Sequence, residues 1–190
     1  TAQTPTRVAG PRAHIDGIRS MMVTRWDTAG SMARGTLNNC GHGKTPWGTY
    51  LSGEENWAGY FRGPAQPREH ERRWGIRPNG GWNKWPDHDE RFDAAKHPNE
   101  PNRFGWIVEI DPQNPNATPM KRTAMGRGAH EGATIAVTKD KRAVVYMGED
   151  ARLEYIYKFV SRDAIKPGGA AANATLLDHG TLYVAKFNED

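Results

Sequence analysis

The chain has 190 residues, of which 36% are hydrophobic, and it contains 21 Gly, 13 Pro and 7 Trp. This length suffices for a domain with a core of its own, but Leu, Ile and Val are too sparse for a compact helical bundle. Turns that join short strands are expected instead. The net charge of +4 comes from 26 Lys and Arg scattered among 22 acidic residues, which does not predict nucleic-acid binding.

The N-terminal part alternates polar segments with short apolar runs. Thr1–Gly17 is polar and broken by proline and glycine, which predicts an extended lead-in. Strands are predicted at Met21–Arg25, around Thr36–Leu37 and at Trp47–Ser52, because these runs have strand length and are rich in β formers. No apolar run reaches the roughly 18 residues of a transmembrane span, and no signal peptide is visible.

Residues 57–103 differ in character from the rest of the chain. No hydrophobic period of either 2 or 3.6 is sustained there. The four tryptophans of this segment are Trp57, Trp74, Trp82 and Trp85. A structureless loop of this length is uncommon, so we expect an irregular insertion that packs through its tryptophans against a neighbouring surface. A short helix is expected near Asp87–Lys96.

Strand signals become stronger after Phe104. The expected strands are Phe104–Asp111, Lys121–Met125, Gly132–Thr138, Ala143–Met147, Glu154–Val160 and Thr181–Phe187. In the last run Leu182 and Val184 fall on one face and Tyr183 on the other, with the period of 2 that is typical of a sheet. A tight hairpin is predicted at Lys139–Lys141. Because no long helical pattern intervenes, the sequence predicts an all-β domain: a sandwich, a barrel or a propeller.

The single cysteine, Cys40, lies in the densest cluster of unusual residues. A lone cysteine forms no internal disulfide, which leaves three roles: a buried small side chain, a nucleophile or a metal ligand. Gly41 and Gly43 permit close backbone approach and positive φ angles. A thiolate held on such a loop suits a soft or borderline metal. From these residues alone, a buried small side chain is favoured over a metal ligand.

Three familiar motifs are matched only in part. Gly43–Thr45 imitates the end of a phosphate-binding loop, but Asn38 stands where the first glycine belongs and Pro46 interrupts the helix that should follow. His130-Glu131 begins like a zinc-protease motif and Asp87–Asp89 like a calcium-binding loop, and the residues that follow break both. None of the three sites is predicted.

Acidic residues stand at the ends of several predicted strands. They are Glu54, Glu55, Glu131, Glu149, Asp150 and Glu154. Carboxylates that converge at one rim of a sheet can bind calcium. Strand ends are also solvated and commonly charged, so each residue taken singly has an ordinary explanation as well.

Five ordered blocks of the sequence resemble the PhoX family of alkaline phosphatases. The blocks are Asn38–Asn56 (NNCGHGKTPWGTYLSGEEN), Phe104–Pro112 (FGWIVEIDP), Lys121–Val137 (KRTAMGRGAHEGATIAV), Arg142–Ser161 (RAVVYMGEDARLEYIYKFVS) and Gly180–Asp190 (GTLYVAKFNED). The resemblance runs from about Gly10 to the end of the chain and excludes much of Trp57–Arg103. It implies one partial β-propeller domain over residues 1–190, roughly two blades, with the irregular insertion at about 57–103.

The same resemblance implies a periplasmic or extracellular enzyme that hydrolyses phosphate monoesters with calcium and iron. Cys40 is then expected to ligate iron, and Glu54, Glu55 and Glu131 to ligate iron or calcium. Further candidates lie in a later family block. They are Asp150 and Glu154 as metal ligands and Arg152 as a catalytic residue.

Family members are several times longer than this chain, and an Arg-Pro-Glu segment implied in phosphate contact has no counterpart here. We therefore expect a fragment that needs the remainder of the propeller as its partner, with no phosphatase activity of its own. The alternative is a non-catalytic propeller relative that acts as a binding or structural module. Bound iron and calcium, and loss of activity after Cys40→Ser, would favour the enzyme.

Overall fold

The structure is a computed structural model that describes residues 5–10 and 16–188. Strands are the main regular elements of the described residues. They are β1 (Pro5–Ala9), β2 (Met32–Arg34), β3 (Asn39–Lys44), β4 (Tyr50–Glu54), β5 (Ile107–Ile110), β6 (Met120–Arg122), β7 (Thr134–Val137), β8 (Arg142–Met147), β9 (Tyr157–Ala164) and β10 (Gly180–Val184). The strands form two sheets and no closed barrel, so the expectation of a mainly β protein is confirmed.

Helices are short throughout the described ranges. The α-helices are α1 (Asp16–Ser20), α2 (Glu69–Arg73) and α3 (Gly169–Ala172). Single-turn 3₁₀ helices occupy Trp57–Tyr60, Trp85–Asp87, Glu90–Phe92, Glu100–Arg103, Thr123–Met125 and Leu176–Asp178. No helix in this part of the chain combines the length and the apolar character needed to cross a bilayer.

The first sheet has six strands in the order β2-β1-β6-β5-β4-β3. Its part from β3 to β6 is an antiparallel meander in chain order, with Ser52 opposite Val108 between β4 and β5. Strand β1 is added parallel to β6, and β2 pairs antiparallel with β1. The segment predicted as an extended lead-in therefore contributes a sheet strand at Pro5–Ala9, while residues 1–4 and 11–15 lie outside the described ranges.

The second sheet is a four-stranded antiparallel meander in the order β10-β9-β8-β7. Val144 of β8 lies opposite Val160 of β9, and Leu182 of β10 lies opposite Phe159. The predicted hairpin between β7 and β8 is confirmed, since the Lys141 amide donates to the Thr138 carbonyl at 3.0 Å to close the turn.

Two apolar clusters hold the molecule together. The larger lies between the sheets and includes Leu51, Ile107, Val145, Phe159 and Leu177. The smaller lies under residues 57–103 and includes Trp57, Phe61, Ile76, Phe92 and Phe104. Burial of these side chains supplies most of the driving force for folding, and it ties the irregular segment to the first sheet.

The predicted strands at Met21–Arg25 and Thr36–Leu37 are wrong. Met21 and Met22 lie in a turn after α1. Side chains from residues 100–103 satisfy their carbonyls, because Asn102 donates to Met21 at 2.9 Å and Arg103 donates to Met22 at 2.8 Å. These contacts replace the ladder that a neighbouring strand would supply.

The other predicted strands fall near their observed positions. The run Glu154–Val160 is extended only from Tyr157, and the run Trp47–Ser52 only from Tyr50. The helix expected near Asp87–Lys96 is replaced by the single 3₁₀ turns at Trp85–Asp87 and Glu90–Phe92.

Candidate metal centre

A thiol and two carboxylates converge where the two sheets meet. One ligand atom from each of Cys40, Glu55 and Glu131 lies within 4.8 Å of the others. Cys40 is on β3, Glu55 follows the end of β4, and Glu131 precedes β7. Residues from both sheets therefore form one cluster at the surface, and such a set of donors can hold a cation.

Two glycines allow β3 to approach the segment before β7. The Gly41 amide donates to the Glu131 carbonyl at 2.6 Å, and a Cβ atom on Gly41 would stand 2.1 Å from that oxygen. A Cβ atom on Gly43 would stand 1.8 Å from the Ala133 carbonyl oxygen. The predicted close backbone approach is confirmed, but these glycines lie in a strand and neither has a positive φ, so the loop interpretation is wrong.

Backbone hydrogen bonds fix the positions of the acidic residues before any ligand binds. The Glu55 amide donates to the Asn38 carbonyl at 3.1 Å, and the His130 amide donates to the Glu54 carbonyl at 3.0 Å. The Glu131 amide in turn donates to the Gly148 carbonyl at 3.2 Å. These bonds connect the segments that carry Cys40, Glu55, Glu131 and Asp150, so the cluster does not depend on a mobile loop.

The cluster carries uncompensated negative charge. Partial burial raises the pKa of Glu55, and a hydrogen bond with Asp150 together with the charges of Glu131 and Asp150 raises it further, while a hydrogen bond from Cys40 lowers it. The pKa of Cys40 is also raised, chiefly by its hydrogen bond with the Glu55 carboxylate. A cation placed among these groups would relieve their repulsion and favour their ionised forms.

Glu54, although predicted as a ligand, does not reach this cluster. Its side chain is fully buried. Its carboxylate accepts from the Lys121 ammonium at 2.8 Å. It also accepts three backbone amides, those of Leu37, Gly105 and Trp106, at 2.9–3.1 Å. The carboxylate is thus fully occupied in fastening three segments of the first sheet together.

The remaining predicted residues occupy different places around the cluster. Asp150 is not one of the converging ligand residues, but it lines the same cavity as Glu55 and, after burial, contributes to the raised pKa of that carboxyl. Glu154 instead pairs with Arg73 at 2.6 Å, outside the group of converging ligand atoms. Arg152 is exposed in the turn that leads to β9, and its predicted catalytic role stays a prediction.

The donor set matches the chemistry of the implied metals. A thiolate together with carboxylates suits iron, and carboxylate oxygens alone suit calcium. Cys40 offers a sulfur, and Glu55 and Glu131 offer oxygens from two different segments. These residues therefore fit a mixed centre, whereas Glu54 and Glu154 are already engaged by basic side chains.

A cavity of about 510 Å³ opens next to the cluster. Its lining includes Glu55, Glu149 and Asp150, and most of the other lining residues come from the irregular segment 57–103, among them tryptophans and arginines. Sequence reasoning did not identify this cavity. Two signals were present in the sequence, the tryptophans of that segment and the dense basic stretch from Arg68 to Arg77, and neither indicates a position in space.

Comparisons with known proteins show which family and which solved structure this chain is similar to. The family model described as "Alkaline phosphatase PhoX" matches residues 1–190. The solved structure of Pseudomonas fluorescens PhoX in complex with vanadate, a transition state analogue, is similar to this chain with a TM-score of 0.91 and 50% sequence identity. The match covers 98% of this chain and 32% of that chain, so the chain spans about a third of that protein's length. No curated protein matches the chain.

Proposed function

The chain belongs to the PhoX family of alkaline phosphatases, and on this basis we propose that it forms part of a hydrolase of phosphate monoesters. The observation that carries the proposal is the convergence of Cys40, Glu55 and Glu131 within 4.8 Å. The P. fluorescens PhoX that it resembles binds vanadate, which mimics a phosphoryl group in transfer. A cluster of thiol and carboxylate donors is a suitable place to hold the cations that such a reaction uses.

We propose that the two meanders are consecutive blades of a β-propeller. A propeller blade is a four-stranded antiparallel sheet, and both β3–β6 and β7–β10 run in this way in chain order. Their first strands, β3 and β7, approach each other at Gly41. First strands of neighbouring blades meet around the central channel, which is where Cys40 and Glu131 lie in this arrangement.

We propose Cys40 as a ligand of iron, and Glu55, Glu131 and Asp150 as ligands of iron or calcium. When bound, such cations withdraw charge from a phosphate ester and stabilise the charge that develops during in-line displacement. The chain contributes a prearranged set of donors, since backbone hydrogen bonds hold Glu55 and Glu131 in place. Asp150 lines the same cavity as Glu55 and offers a further carboxylate there.

The substrate is proposed to be a small phosphate ester, and the site of action to be outside the cytoplasm, as is typical of the family. Within the described residues, the donors for the phosphate group itself are not all identified. Arg152 is the candidate from this chain, and other donors would come from the part of the propeller that this chain does not span.

The proposal is tested with a chimaera in which this chain replaces the matching third of P. fluorescens PhoX. We expect the chimaera to hydrolyse 4-nitrophenyl phosphate, and the isolated 190-residue chain to bind cations without turnover. Cys40→Ser should abolish both hydrolysis and bound iron, measured by mass spectrometry of the purified protein. Glu69→Gln, on the exposed face of α2, serves as the control and should retain both.

Two results would contradict the proposal. One is a folded, metal-loaded chimaera that does not hydrolyse the ester, which would favour a non-catalytic binding module. The other is a Cys40→Ser chimaera that keeps its iron and its activity, which would remove Cys40 from the centre.

A further inference from the structure

We propose that the cavity beside the metal centre receives the alcohol part of the substrate, and that Trp82 makes it selective for phosphate esters of aromatic alcohols. This inference rests on the proposed phosphatase function and adds a substrate class to it. Glu55 belongs both to the metal cluster and to the cavity wall, and Asp150 lines the same cavity. A phosphoryl group at the cluster therefore directs its ester oxygen toward the cavity or toward bulk solvent.

Trp82 is exposed, yet it is held in place. Two-thirds of its surface, 67%, is accessible to solvent. Its benzo ring rests against Gly59, where an added Cβ atom would stand 2.6 Å from the ring carbon Cζ2. The Asn83 amide donates to the Gly59 carbonyl at 3.3 Å and fixes the turn that carries the ring. A large rigid ring, supported on one side and open on the other, loses little entropy when a second ring stacks on it.

The other tryptophans of the segment are engaged by neighbours. Trp57 is buried and donates to the Gly128 carbonyl at 3.0 Å. The ring of Trp74 has the guanidinium of Arg73 at 4.7 Å and that of Arg127 at 5.0 Å. Trp85 meets two aromatic rings edge-on. Within residues 5–10 and 16–188, Trp82 has no aromatic or cationic partner of this kind, so a ligand ring is the partner that the cavity leaves room for.

The charge of the cavity also suits a phosphate ester. Its lining includes three arginines, Arg72, Arg73 and Arg77, besides the carboxylates Glu55, Glu149 and Asp150. Arg73 is fixed by its ion pair with Glu154 at 2.6 Å. With cations bound beside Glu55, these arginines add positive charge that attracts an anionic ester. Arginine planes in the lining also favour aromatic ligands through cation–π contact.

The cavity has space for such a group. A volume of about 510 Å³ lies within the usual range of small-molecule sites and accommodates a phenyl or larger aromatic ring beside the cluster. An aliphatic alcohol such as glycerol would enter the same space without a stacking partner. The structure thus predicts that the cavity favours aromatic over aliphatic esters by ring stacking, and not by keeping the aliphatic esters out.

The first test is binding, observed without turnover. The 190-residue chain labelled with ¹⁵N is titrated with phenyl phosphate and with glycerol 2-phosphate in the presence of calcium, and the indole N–H signals are followed by NMR. The Trp82 signal is assigned by its loss in Trp82→Ala. We expect phenyl phosphate to shift the Trp82 signal, glycerol 2-phosphate to leave it unmoved, and the Trp85 signal to stay fixed as the internal control. A Trp82 signal that moves with neither ester, or equally with both, overturns the proposal.

The second test is selectivity in the active chimaera. Trp82→Ala should raise KM for phenyl phosphate roughly fivefold and leave KM for glycerol 2-phosphate unchanged, while Trp82→Phe retains most of the difference. Trp85→Ala is the matched control and should change both substrates alike. An equal change for both substrates in Trp82→Ala overturns the subsite. A chimaera that shows the indole shift but no hydrolysis supports the subsite and counts against the proposed function.

Discussion

Glu54 and Glu55 are neighbours in sequence, but they occupy opposite kinds of environment. Glu54 is fully buried, and its carboxylate is matched by one ammonium group and three backbone amides. Glu55 is half-buried at the surface and faces other acidic groups. The protein itself supplies the partners of the Glu54 carboxylate, whereas the Glu55 carboxylate is left for a bound cation.

The difference has a simple structural origin. Successive side chains of a strand point to opposite faces, so the end of β4 sends one carboxylate into the first sheet and the next one outward. Burial lowers the pKa of Lys121 to about 8, which shows how strongly the interior disfavours an isolated charge. Breaking the buried pair of Glu54 and Lys121 lowers the stability of the fold. The Glu55 carboxylate at the surface lowers it only while no cation is bound there.

The largest expected effect comes from breaking the buried pair. Glu54→Gln leaves the Lys121 ammonium without a counter-charge in the interior, and we expect it to lower the free energy of unfolding by about 3–5 kcal/mol. Urea denaturation of the 190-residue chain without metals measures this change. Glu55→Gln is the matched control, and it should not destabilise the metal-free chain. Equal stability of Glu54→Gln and wild type would refute the contrast between the two positions.

A second effect concerns the pH dependence of the buried region. Burial lowers the pKa of His130 from an ordinary value of 6.5 to about 4. The unfolded chain therefore takes up a proton between pH 6.5 and 4 that the folded chain excludes. Above about pH 6.5 this difference contributes about 3 kcal/mol to the free energy of unfolding. The contribution is lost as the pH falls to 4.

Unfolding measured by urea at a series of pH values tests this loss. His130→Gln lowers stability at neutral pH but should flatten the dependence between pH 6.5 and 4. An unchanged slope in the variant would assign the acid sensitivity to other groups.

The third effect belongs to the surface cluster. Calcium at about 100 times its dissociation constant should raise the free energy of unfolding of the wild type by about 2.7 kcal/mol. Glu55→Gln and Glu131→Gln should lose most of this gain, because each removes a carboxylate oxygen from the site. Thermal unfolding with and without calcium measures it. Glu69→Gln removes one negative charge from exposed α2 and should keep the full response, so a loss there would point to general charge screening.

The smallest expected effect is on the reactivity of Cys40. The Glu55 carboxylate raises the pKa of this exposed thiol through their hydrogen bond, which lowers the fraction of thiolate at pH 8. Glu55→Gln should therefore speed alkylation by iodoacetamide about threefold. Mass spectrometry of samples quenched at intervals gives the rates. Slower alkylation in the variant would contradict the charge coupling between the two residues.

The sequence predicted most of the strands but could not orient the acidic residues. Alternation in Thr181–Phe187 and the apolar runs before and after Lys139–Lys141 indicated the second sheet. Strand β3 was missed, because Gly41 and Gly43 have the composition of a loop. Positions 41 and 43 need glycine because the carbonyls of Glu131 and Ala133 lie where a Cβ atom would stand. These carbonyls are about 90 residues away along the chain.

The sequence predicted the kinds of residue in the candidate site but not which individual residues belong to it. Glu54 and Glu55 look equivalent in the sequence, and only the location of Lys121 beneath β4 distinguishes them. In the sequence Glu154 likewise looks free to bind a cation, but Arg73 of the irregular segment forms an ion pair with it. Long-range partners of this kind decide whether a carboxylate is free to bind a cation, and local patterns do not contain them.

The hydrogen bonds that join Asn38 to Glu55 and Gly41 to Glu131 have a consequence for how this protein can vary. Substitutions in β4 change one side chain at a time and leave the pairing with β3 and β5 intact. A one-residue deletion between Tyr50 and Glu54 would exchange the faces of the two glutamates, placing one carboxylate without partners in the interior and removing another from the surface. We therefore expect related proteins to conserve the length of β4 more strictly than its residue types.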